Sequence, residues 1–168
     1  MPDTVLTVSY LELTQAPTPI PTRVGSEQVI AERLALEDYL ALYRRVGAPL
    51  HWDQRLNMPG EELRSLLKSE RLGIYVLRDE SGHALGLCEF DRGGWPQIEL
   101  KNFGLVPEAQ GRRLGSWLLA IALHHEWGTN PRRIWLHTDT WDHPSAIPVY
   151  ESAGFRKYLT REESSKDL

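Results

Sequence analysis

From Thr4 to Leu13 polar and apolar positions alternate with period two, the pattern of a strand with one face buried. "APTPIPT" follows, and its prolines make an extended surface loop. The period then changes. Leu34, Leu36, Tyr39, Leu40, Leu42, Tyr43 and Val46 fall on one broad helical face, and Gly47 stops that helix. "APLHWDQRLNMPG" shows neither period and reads as an irregular connection. "PGEELRSLLKSE" predicts a short helix, with Pro59 near its start and acids in its first turn. Strands over Leu72 to Asp79 and His83 to Asp91 flank the hairpin turn "ESG", and "RGGWP" leads into a third strand, Gln97 to Val106. A long apolar helix spans about Arg112 to Trp127, ended by Gly128 and "TNP". "RRIWLHTD" reads as a strand, "PSAIPVYESAG" as a short helix stopped by Gly154, and "FRKYLT" as a last strand before a charged tail that frays. The order β, α, α, β, β, β, α, β, α, β predicts an α/β fold of the α+β type, a central, mostly antiparallel mixed sheet flanked by helices.

Composition narrows this picture. At 168 residues the chain suits a single domain, 1–168, with a real core. The net charge is −4, and the basic pairs Arg44-Arg45, Arg112-Arg113 and Arg132-Arg133 are scattered, so no nucleic-acid partner is expected. The longest apolar run, Trp117 to Leu123, is too short to cross a bilayer, and the N-terminus lacks a basic start, so no membrane partner is expected either. The single cysteine, Cys88, fits a reducing compartment, and the chain reads as cytoplasmic.

The chemistry concentrates in "VPEAQGRRLGSWLLA", Val106 to Ala120. A glycine-flanked basic turn directly after a strand opens an apolar helix. The free amides of a helix's first turn, its dipole and small residues together suit an anion. A solvated strand-to-helix turn is the alternative on this stretch alone. No Gly-Lys-Ser/Thr follows, so it is not a Walker loop.

"FGLVPEAQGRRLGSWLL" resembles the acyl-CoA-binding segment of the GNAT superfamily of N-acyltransferases, whose pattern after the fourth strand is Gln/Arg-x-x-Gly-x-Gly/Ala. Gln110 and Gly115 match its ends, and Arg113 replaces its middle glycine. "HPSAIPVYESAGF" is similar to the superfamily's Asn-x-x-Ala-x-x-x-Tyr-x-x-x-Gly-Phe, with Ala146, Tyr150, Gly154 and Phe155 in place and His143 at the asparagine. The resemblance implies acetyl-CoA as co-substrate and no metal. It implies coenzyme contacts from Phe103, Leu105, Gln110, Gly111, Arg112, Arg113, Gly115, Ser116 and His143. It makes Tyr150 the general acid toward the leaving thiolate and Glu99 a base for the amine, acting through water. Strict alternation puts Glu99, Lys101, Phe103 and Leu105 on one strand face. If the glycine that Arg113 replaces needs φ > 0, the arginine is strained there; if it needs only room, the side chain points outward and adds charge.

The acceptor implied is an amine of a small molecule or an exposed protein amine, and a homodimer is left open. The superfamily lines its acceptor pocket with the segment between the first two helices. In "LHWDQRL", Trp52 would then be an aromatic wall and Arg55 an anion clamp. The alternative plugs Trp52 into the core and pairs Asp53 with Arg55 on the surface. His137 and Asp139 share a strand face, but they and His143 lack the spacing of a zinc site. The function expected is N-acetyl transfer. The alternative is a catalytically weak acyl-CoA-binding or regulatory module of the same fold.

Overall fold

The computed structural model describes residues 3–168. The strands are β1 (Val5–Leu13), β2 (Gln28–Ala31), β3 (Leu72–Arg78), β4 (Ala84–Asp91), β5 (Gln97–Leu105), β6 (Arg133–Asp139) and β7 (Arg156–Ser164). The α-helices are α1 (Leu36–Gly47), α2 (Gln54–Asn57), α3 (Gly60–Lys68), α4 (Leu114–Trp127) and α5 (Ala146–Ala153). All seven strands form one sheet in the order β2-β3-β4-β5-β6-β1-β7, antiparallel except between β5 and β6.

Helices cover both faces of the sheet's middle. α1 packs on β4 and β5 and turns Tyr39, Leu42, Tyr43 and Val46 inward. α4 packs on β3, β4 and β5 and is apolar nearly all round. β3 and β4 are therefore buried on both faces, which is why they read as near-continuous apolar runs.

Two buried carboxylates punctuate this core, and each is satisfied. Glu126 of α4 accepts from the Tyr75 hydroxyl at 2.9 Å and from Arg92 Nε at 2.9 Å. Glu89 of β4 accepts from the Tyr39 hydroxyl and from the Arg55 guanidinium.

The chain departs from its sequence pattern in three places. β2 is an additional edge strand pairing with β3; at four residues, mostly exposed, it carries no readable alternation. α2 forms inside the connection expected to be irregular, and Arg55 within it is buried. The charged tail does not fray at once: β7 runs to Ser164 because β1 pairs with it as far as Val5↔Ser164. An edge strand with one paired side tolerates such a polar sequence.

Candidate active site

The site begins as a gap in the sheet. β5 and β6 pair only over Gln97↔Arg133, Ile98↔Ile134 and Glu99↔Trp135. β5 continues to Leu105 and β6 to Asp139 without pairing to each other, so the strands splay apart. Two cavities fill the splay. One, of about 540 Å³, is lined on the α1–α2 side by Trp52 and Asp53 and across the gap by His137 and Asp139. The other, of about 400 Å³, lies at the start of α4. Leu50, Phe103, Asp142 and Tyr150 line both, so they mark the junction.

The α4 cavity gathers most of the expected coenzyme contacts: Phe103, Leu105, Gln110, Gly111, Arg113, Gly115, Ser116 and His143. Gly111 has φ 80°, a conformation that favours glycine. Arg113, the residue before α4, has φ 59° and an exposed side chain. The position is therefore left-handed, as the first reading of Arg113 has it, and the exposed arginine lines the cavity. The first-turn amides of α4 have no intrahelical partner, and Gly115 and Ser116 of that turn line the cavity, an arrangement whose geometry suits an anion. Arg112 is the exception. It does not line this cavity, and its guanidinium pairs with the Glu27 carboxylate.

Tyr150 sits in α5, whose first residue follows Ser145. His143 Nδ1 accepts from the Ser145 amide at 3.1 Å, so the imidazole supplies the local turn that a short amide side chain makes elsewhere. The Tyr150 ring packs on Phe103 and Phe155, with centroids 5.8 and 5.9 Å away. Its hydroxyl has no hydrogen-bond partner among the described residues. Burial, and then the charge of Asp142, push the phenol well above its ordinary value, so it stays protonated.

Arg55 stands elsewhere than expected, and Glu99 does not share the face of Phe103. Pairing of β5 with β4 steps from Glu89↔Asn102 to Phe90↔Leu100, leaving Lys101 as the extra residue of a bulge. Glu99 then opposes Asp91 while Phe103 opposes Cys88, three positions along β4, so Glu99 and Phe103 face opposite sides. Glu99 lines neither cavity; its carboxylate lies 3.6 Å from Lys101 Nζ and 4.0 Å from His137 Nε2. Arg55 lines neither cavity. Its guanidinium is buried against Glu89, which corrects both the anion clamp and the surface pair with Asp53. Burial opposes the charged guanidinium, but the Glu89 charge more than offsets this and raises it above its ordinary range.

Trp52 does line the larger cavity. It packs on Tyr43 at 5.3 Å, and a Cβ on Gly47 would meet it at 2.5 Å, so the helix end must be glycine for the indole to lie there. His51, at φ 62°, packs its ring at a tilt on Trp141, centroids 4.7 Å apart, and joins the α1–α2 connection to the β6–α5 loop across the gap. Asp142 and Trp141 escaped the sequence reading. The one available sign was their place in "TDTWDH", between the His137 strand and the Tyr150 helix. Among the described residues no group of His, Cys, Asp and Glu side chains is arranged to hold a metal ion, and no helix is long and apolar enough to cross a membrane.

The sequence profile of the Acetyltransferase (GNAT) family matches residues 34–155, from just before α1 to just past α5. The chain belongs to the GNAT family. The fold agrees with solved GNAT structures. A GCN5-related N-acetyltransferase from Sphaerobacter thermophilus superposes with TM-score 0.71 at 19% identity, over 95% of this chain and 52% of that one. A tandem GNAT protein from the clavulanic acid biosynthesis pathway gives 0.66 at 16% identity, over 94% and 54%. A spermidine N-acetyltransferase chimera from Vibrio cholerae gives 0.60 at 22% identity, over 77% and 80%. The GNAT chain thus spans about half the length of the first two. No curated protein matches it by sequence.

Proposed function

We propose that the protein transfers an acetyl group from acetyl-CoA to a primary amine, of a small molecule or exposed on a protein, by direct attack, and that it works in the cytoplasm. The observation that carries this reading is the meeting of two cavities at Tyr150, one of them walled by the glycine turn and the start of α4. The first-turn amides of α4 and Gln110 hold the pyrophosphate, and Phe103 and Leu105 give the acyl arm an apolar wall. The amine enters past Trp52. Tyr150 donates to the sulfur as charge develops on it. The coenzyme supplies the activated thioester; the protein supplies alignment, a dry wall and the proton.

The test has two arms. Acetyl-CoA and coenzyme A raise the melting temperature by mass action on the folded state. An amine panel with acetyl-CoA releases free thiol. No thermal shift at millimolar ligand removes the basis for the reading. A shift without turnover over a broad panel points to a binding module instead.

A further inference from the structure

We propose that Asp142 is the proton acceptor for the incoming amine, standing with Tyr150 where the two cavities meet. This rests on the transferase reading above. Tyr150 and Asp142 are the only titratable side chains that line both cavities among the described residues. The Asp142 carboxylate is aimed. Its Oδ2 accepts from the Thr138 hydroxyl and, at 3.1 Å, from the Asp139 amide, while Oδ1 has no hydrogen-bond partner among the described residues. One oxygen is fixed by the end of β6, and the other is left for a ligand. Glu99 lines neither cavity itself; its carboxylate is engaged by Lys101 and His137, which do line the larger one.

The environment suits the task. Burial raises the Asp142 carboxyl above the ordinary carboxylate range, the Asp139 charge adds to this, and the Thr138 hydroxyl and the His137 ring oppose it. Asp53 and His51 from the α1–α2 connection, Lys101 from β5 and Lys166 from the segment after β7 line the same cleft. A carboxylate of raised basicity in a half-closed site both attracts an ammonium and takes a proton from it.

The steps balance. Asp142 Oδ1 takes one proton from the ammonium, and the freed lone pair forms the C–N bond at the thioester carbonyl carbon, whose π pair moves to oxygen. The nitrogen, cationic again, gives a second proton to water. The carbonyl re-forms, the C–S bond breaks, and sulfur takes the bonding pair and the Tyr150 phenolic proton. Tyrosine recovers a proton from water and Asp142 returns its own, so the net release is one proton. The order couples the two groups. The Asp142 charge is part of what holds the Tyr150 proton. Once Asp142 is neutral that hold weakens, and the phenol becomes a better acid when the sulfur leaves.

The experiment compares the parent with Asp142→Asn on two kinds of amine: alkylamines such as benzylamine, cationic at neutral pH, and anilines, already neutral. The expected result is a loss of about 10²–10⁴ in kcat/KM for every alkylamine the parent acylates, and under tenfold for anilines. The acid limb of the alkylamine pH–rate profile moves up to the pKa of the amine itself, while the acetyl-CoA thermal shift is kept. Equal losses on both kinds of amine, or none on either, overturn the proposal while leaving the transferase reading intact. A parent that acylates no amine overturns that reading, and this proposal with it.

Discussion

Replacing Arg55 by methionine leaves the carboxylate of Glu89, 0% exposed, without the cation it faces. Arg55 itself is only 6% exposed, so water has little access to either partner. An exposed pair in the same contact is worth at most about 1 kcal/mol. Stranding one charge of a buried pair costs about 3–5 kcal/mol, because the remaining ion keeps its desolvation penalty and loses its compensation. Tyr39 still donates to Glu89 in the variant, which places the loss toward the lower end of that range. Domains of this kind are stable by roughly 5–15 kcal/mol, so Arg55→Met folds but is severely weakened. Urea denaturation followed by tryptophan fluorescence measures it. The double variant Arg55→Met with Glu89→Gln, which removes the stranded charge, recovers at least half of the loss. A single variant as stable as the parent with a raised acceptor KM would place the guanidinium in the acceptor cleft and refute the argument.

Tyr150→Phe keeps the ring against Phe103 and Phe155 and loses only the hydroxyl; kcat falls by about 10²–10⁴ with little change in urea midpoint or acetyl-CoA affinity, measured by thiol release and calorimetry. Arg113→Gly is more stable than Arg113→Val by about 1–2 kcal/mol in urea melts, because φ is 59° there and valine carries the left-handed penalty in full. Hydrogen bonds from Arg71 hold the Asp91 carboxyl below the usual carboxylate range. The stability it supplies is present above the unfolded value of about 4 and is lost as pH falls through its lowered native value. Arg71→Ala therefore flattens the acid side of the stability–pH curve, read by urea melts at a series of acidic pH values.

What was legible in the chain was local. The turn Gln110 to Ser116 and the helix carrying Tyr150 each lie within one stretch, and strand-to-helix turns follow from proline, glycine and apolar period alone. What escaped was set at a distance. Arg55 looks like a loop arginine until its partner Glu89, 34 positions on, is brought under it by β4. Lys101 carries no mark of a bulge; the slip comes from how β5 registers on β4, and it reverses the face of Glu99. Asp142 gains its role from the splay of β5 and β6, a property of the sheet rather than of either strand. β2 is four residues long, too short for its period to show.

The place of β1 in the sheet has a consequence for how the protein is made. β1 leaves the ribosome before every other strand of this sheet, yet both of its neighbours, β6 and β7, follow after all the rest. β2 to β5 pair as they emerge, each beside a strand close in sequence or already present. β1 waits unpaired for the 119 residues between Leu13 and Arg133, on the order of 10 s at ordinary elongation rates. Through that interval an alternating strand carrying Leu6, Val8 and Leu11 is exposed with both edges free, a chaperone substrate in a nascent chain. The second wall of the cleft, β6, has no sheet partner on its far side until β1 docks, so a truncated or stalled chain holds the first four sheet strands and no site.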